Sequence, residues 1–109
     1  MGLDIRFTQR KKLICPKCGE IIGSKDVTTV DGGGRGWYPL LESFGYYVPF
    51  EERTDENDWY GKDMTLSVEQ ADEAYRFVKE HDLYDSDSVA MLIAAARFEN
   101  DDIVVNADW

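Results

Sequence analysis

Leu3, Ile5 and Phe7 alternate with Asp4, Arg6 and Thr8. A period of two predicts a strand with one buried face. Residues 12–15 and 20–22 flank the turn Pro16-Lys17-Cys18-Gly19 and predict a hairpin. Residues 27–30 (Val-Thr-Thr-Val) predict a further short strand. The run Asp31-Gly32-Gly33-Gly34-Arg35-Gly36 tolerates positive φ and predicts a loop. Residues 39–44 then predict a short helix stopped by Gly45.

The clearest helix start is Ser67. Gln70 stands three residues on, and Leu66 and Ala71 are placed to pack across the first turn. That pattern predicts a capping box with a hydrophobic staple. Val68, Ala71, Tyr75 and Val78 continue on one face, and the helix should end near His81 or Asp82. A second helix should start at residues 86–88 and run to Phe98. Its segment 89–96 is apolar all round, which predicts a core position. Residues 103–105 predict a last buried strand. The fold class expected is α+β: one domain over residues 1–109, a small antiparallel sheet with an N-terminal hairpin bearing a Cys knuckle, and two to three helices on one side.

Composition changes this picture in two ways. At 109 residues and 43% hydrophobic the chain can bury one core and no more. The formal charge is -10, unevenly spread: residues 1–35 carry seven basic and four acidic side chains, or +3, and the remainder carries -13. Such asymmetry points to an interaction surface. An acidic face repels phosphates, so direct nucleic-acid binding is not expected. It can bind a protein that binds nucleic acid, by competing for the same Lys and Arg groups; it can also serve solubility alone. No apolar run reaches the ~20 residues of a membrane span, and the first residues lack the apolar stretch of a signal peptide. The expected location is the cytoplasm.

Candidate chemistry is sparse. Cys15-Pro16-Lys17-Cys18-Gly19 is a knuckle whose spacing suits two of the four ligands of a structural zinc. Two Cys and one His are too few for a full set. A single-chain site would recruit His81 and a carboxylate, and a dimer would join two knuckles. A metal-free turn and a disulfide or redox pair are the other readings. The glycine-rich run lacks the Gly-Lys-Ser/Thr of a phosphate loop. Residues 55–61 do not fit a calcium-binding loop, and no nucleophile elbow or metalloprotease motif occurs. A binding protein, not an enzyme, is therefore expected. Residues 51–58 hold Glu51, Glu52, Asp55, Glu56 and Asp58, followed by Trp59, a residue type common at binding hot spots.

Four segments taken together carry a resemblance: Met1-Gly2-Leu3-Asp4-Ile5, the Cys-Pro-Lys-Cys-Gly knuckle, Gly34-Arg35-Gly36-Trp37-Tyr38-Pro39 and Trp59-Tyr60-Gly61-Lys62-Asp63-Met64. They resemble small accessory proteins of bacteriophages and prophages, and within that group a type II-A anti-CRISPR protein. The resemblance implies a guide-RNA nuclease, the type II CRISPR effector, as partner in a bacterial host. Such an effector holds nucleic acid in a positive channel and reads its flanking motif with Arg side chains. On this reading Glu51, Glu52, Asp55, Glu56 and Asp58 act as phosphate mimics and Trp59 as an anchor. The alternatives are an accessory binding protein for another host target and a structural dimer assembled at the zinc knuckle.

Overall fold

The computed structural model describes residues 3–83 and 85–109; Met1 and Gly2 of the opening motif lie outside them. Strands β1 (Asp4–Ile14) and β2 (Ile21–Gly33) form a long hairpin. A 3-10 turn (Arg35–Trp37) leads into helix α1 (Tyr38–Phe44), and a second 3-10 turn covers Phe50–Glu52. Strand β3 (Met64–Thr65), helices α2 (Val68–Glu80) and α3 (Ser86–Glu99), and strand β4 (Asp102–Asp108) follow. The sheet order is β2-β1-β4-β3, with each neighbouring pair antiparallel. This is the expected α+β architecture. Among the described residues no helix is long and apolar enough to cross a membrane.

Alternation sets the core. Ile5, Phe7 and Gln9 of β1 are buried, while Asp4 and Arg6 are exposed. Leu3, Ile5, Phe7, Ile103, Val105 and Ala107 meet Ala74 and Val78 of α2 and Val89, Ile93 and Ala96 of α3 in one cluster. Trp37 fills the centre, fully buried, with ring centroids 5.5 Å from Phe7 and 6.0 Å from Phe77. Its indole N–H is the one buried side-chain polar group without a partner among the described residues. The outward positions carry ion pairs: Arg6 with Asp31, Arg10 with Asp26 and with Asp63 just before β3, and Lys12 with Asp102. All lie at the surface, exposed or half-exposed, and are worth about 0–1 kcal/mol each.

The capping box forms as expected. Ser67 Oγ accepts from the Gln70 amide at 3.2 Å, and Gln70 Oε1 accepts from the Ser67 amide at 2.9 Å. Leu66 and Ala71 are buried. Gly45 ends α1 at φ 76, where a Cβ would be strained. His81 is the C-cap of α2, its ring stacked on Phe77.

Three expectations need correction. The separate strand at residues 27–30 and the loop beginning at Asp31 are both part of β2, which runs on through Gly33. Gly33 has a reason to be glycine there, since a Cβ would lie 3.0 Å from the Leu3 carbonyl oxygen. The apolar segment of α3 is not buried all round: Met91, Ala94 and Ala95 are exposed.

The hairpin outruns the sheet. β4 pairs with β1 only from Asp4 to Arg10, so residues 11–14 and their partners form a two-stranded arm. The overall extents of 49 × 33 × 24 Å and a radius of gyration of 14.6 Å reflect it; a compact chain of this length has about 13 Å. Register shifts leave Val27 and Ile22 without partners in β1, so the edge strand β2 carries two bulges. Bulges twist an exposed edge away from further pairing.

Candidate binding site: an acidic loop on an aromatic base

The acidic loop lies at the end of the sheet away from the arm. Gly61 donates from its amide to the Ala107 carbonyl at 2.9 Å. Ala107 stands opposite Ile5, at the start of β1, whereas the arm leaves the sheet at Arg10, opposite Asp102.

Beneath the loop is a floor of aromatic rings. Tyr46 is buried, with Trp59 at 6.2 Å and Trp109 at 6.1 Å between ring centroids. Tyr47 and Tyr60 stand edge-on to Trp109, at 5.1 and 4.9 Å. The Tyr46 hydroxyl lies 2.6 Å from the Lys62 carbonyl and 3.1 Å from the Ala107 carbonyl, and accepts from the Ala107 amide at 2.8 Å. Because β3 pairs only with Val104 and Val105, the outer edge of β4 is open at Ala107. Tyr46 and Gly61 supply there the hydrogen bonds a longer strand would have made. Burial pushes the Tyr46 phenol pKa up, against the lowering effect of backbone hydrogen bonding at Ala107 and Lys62.

Two side chains clamp the loop onto this floor. Arg53 donates to the Val48 carbonyl from Nε at 3.2 Å and Nη2 at 2.8 Å. Its guanidinium lies 5.9 Å from the Tyr47 ring centroid and 5.4 Å from that of Trp109, within cation–π range. Asn57 Oδ1 accepts from the Thr54 amide at 2.6 Å, its Nδ2 donates to the Glu52 carbonyl at 3.2 Å, and its own amide donates to Thr54 Oγ1 at 3.3 Å. Asn57 thus closes the loop on itself.

The carboxylates face out. Glu51, Glu52, Asp55 and Glu56 are exposed, and Asp58 is half-buried, its Oδ1 accepting from the Tyr60 amide. Among the described residues no Lys or Arg forms an ion pair with any of the five. The structure therefore brings the five expected acidic residues together on one short, braced segment. Trp59, the expected anchor, is half-buried and packs beside Tyr46. The exposed aromatic of the loop is Tyr60. No family model, curated protein or solved structure matches this chain. The bracing roles of Arg53 and Asn57, and the place of Trp109 in the floor, have no counterpart in the sequence analysis. An arginine and an asparagine inside an acidic run are the only local signal that such a loop is braced.

At the other end, Cys15 and Cys18 are free thiols on the arm's turn, Cys18 exposed and Cys15 half-buried. Gly19, at φ 75, donates from its amide to the Cys15 carbonyl at 2.9 Å, and the Cys15 amide donates to the Glu20 carbonyl at 2.8 Å. Hydrogen bonding from the Cys18 backbone, then from the Lys17 backbone and the Cys18 side chain, draws the Cys15 thiol pKa below its ordinary value. Among the described residues no third Cys, His or carboxylate completes a metal-binding group with them. His81 does not join them, since its Nδ1 lies 2.9 Å from the Phe77 carbonyl oxygen at the end of α2. The single-chain zinc site built with His81 is not the arrangement found.

Proposed function

We propose that this chain is a phage-type inhibitor that binds a type II CRISPR guide-RNA nuclease in the host cytoplasm and blocks its use of DNA. It acts by binding and carries out no catalysis. The loop bearing Glu51, Glu52, Asp55, Glu56 and Asp58 occupies the cationic channel that otherwise holds nucleic acid. The observation that carries this reading is the bracing of the loop by Arg53 and Asn57, which leaves the carboxylates without internal counter-ions. A braced loop loses little conformational entropy on binding, and unpaired charge is free to meet Lys and Arg of a partner. The resemblance described above supplies the identity of that partner; the geometry supports the class.

The test is DNA cleavage by such a nuclease, with the protein added before or after target DNA. The expected result is inhibition only on addition before DNA, lost in the variant Glu51→Gln/Glu52→Gln/Asp55→Asn/Glu56→Gln/Asp58→Asn. Asparagine at 58 keeps the acceptor for the Tyr60 amide. Inhibition in either order of addition, or full inhibition by the neutralised loop, would remove DNA mimicry. No inhibition of any type II nuclease would redirect the search to another cationic host protein.

A further inference from the structure

The knuckle is left over once the acidic loop has been assigned a role. It sits at the tip of an arm that lacks support of its own. A two-stranded ribbon is at best marginally stable alone. Here Lys11 also stands directly opposite Lys25, a like-charge pair that weakens it further. Yet the arm exposes apolar side chains on both strands: Ile14 at 59%, Ile21 at 62% and Ile22 at 67%, with Leu13 also exposed. Such a patch beside a half-complete thiolate set needs a partner.

We infer that two copies of this chain join tip to tip, and that Cys15 and Cys18 of each copy together hold one zinc ion in a tetrahedral four-thiolate site. Ligand arithmetic supplies the first argument. A structural zinc takes four ligands, and a Cys-x-x-Cys knuckle offers two. The turn that carries the two free thiols is already closed, Gly19 donating from its amide to the Cys15 carbonyl at 2.9 Å and the Cys15 amide donating to the Glu20 carbonyl at 2.8 Å. Symmetry supplies the second. A two-fold contact needs a surface that complements itself, and Ile14, Ile21 and Ile22 beside the knuckle would meet the same residues of the other copy.

Charge supplies the third argument. Residues 10–27 carry five basic and two acidic side chains, or +3, and the rest of the chain carries -13. Side-by-side association would press two acidic bodies together. Tip-to-tip contact keeps them at opposite ends, since four residue pairs project roughly 13 Å beyond the sheet before the turn. Zinc with four thiolates carries a charge of about -2, and Lys17 in each knuckle stands next to it in sequence. Binding converts four thiols to thiolates and releases four protons, with no change of oxidation state. Zinc coordination by two copies makes no use of the acidic loop, so this inference and the proposed function stand or fall separately.

The test combines metal content with mass. The full chain is purified under reducing conditions, loaded with zinc, and examined by elemental analysis and sedimentation equilibrium. The expected result is one zinc per two chains and twice the chain mass, with chelation returning the monomer. Cobalt in place of zinc should give the intense visible bands of a tetrahedral four-thiolate site. Cys18→Ser should be a metal-free monomer with an unchanged far-UV spectrum, because the knuckle lies outside the core. Ile14→Ser/Ile22→Ser should keep both cysteines yet weaken the dimer by more than about tenfold. A zinc-loaded monomer, one zinc per chain, an intrachain disulfide formed in preference to metal binding, or a Cys18→Ser protein that remains dimeric would each overturn the inference.

Discussion

Replacing Tyr46 by Phe tests the claim that one phenol stands in for a missing stretch of strand. The ring would stay, with its contacts to Trp59 and Trp109, so the change isolates the hydroxyl. Three backbone groups would lose a contact, of which the Ala107 carbonyl keeps the Gly61 amide as donor. Lys62 belongs to an exposed residue, and water can replace much of its hydrogen bond; a net loss of about 0.5–1.5 kcal/mol is expected there. The Ala107 amide is different. Its residue is 1% exposed, and the phenol oxygen at 2.8 Å is its acceptor. A buried donor left unpaired costs about 1–3 kcal/mol. Together these give a loss of roughly 2–4 kcal/mol, a large share of the 5–15 kcal/mol typical of a domain. Urea unfolding is the assay: the midpoint should fall with little change in slope. Tyr60→Phe is the control, since Tyr60 is exposed and should change stability by less than about 0.5 kcal/mol. A Tyr46→Phe loss below about 0.5 kcal/mol would refute the reasoning. The phenol also predicts a pH dependence. Its pKa is raised in the folded state, so above the ordinary value of about 10 the unfolded chain gives up the proton first. The stabilisation is complete below about pH 10 and is lost as pH rises through the folded pKa. The gap between the wild-type protein and Tyr46→Phe should narrow over that range.

Two other substitutions probe the cap and the loop. Ser67→Ala removes the acceptor for the Gln70 amide and should cost about 1 kcal/mol in urea unfolding. Asn57→Ala frees the turn from Thr54 and Glu52. It should lower global stability by less than about 1 kcal/mol, since the loop is exposed, and speed amide exchange at Thr54; under the proposed function it should also weaken nuclease inhibition.

Local signals were readable where one short segment determines the outcome. Ser67 and Gln70 define a helix start within four residues, and their bonds are made as the pattern requires. Gly45 stops α1 because its backbone needs a left-handed turn. The hairpin at the tip of the arm was legible from its turn, but its continuity with the strand that begins at Asp4 was not. Alternation marks a strand only where one face is buried, and beyond Arg10 neither face of β1 is. The length of β2 was hidden for the same reason, and by the glycines at its end. α3 misled through composition: alanines and Met91 fit a core as well as a surface, and only packing decides. In the loop, the five carboxylates and the exposure of four of them could be read from composition; Asp58 is half-buried. The clamp by Arg53 could not, because its partners Val48, Tyr47 and Trp109 are assembled by the fold.

The separation of the basic arm from the acidic loop along a 49 Å molecule has a consequence for motion before contact. Opposite charge at the two ends makes the protein a permanent electric dipole. Near a cationic surface such a body feels a torque as well as a pull. It turns so that the acidic loop leads and the arm trails into solvent. A larger fraction of random collisions then begins in the correct orientation, and a bound molecule would leave its arm pointing outward, within reach of another copy.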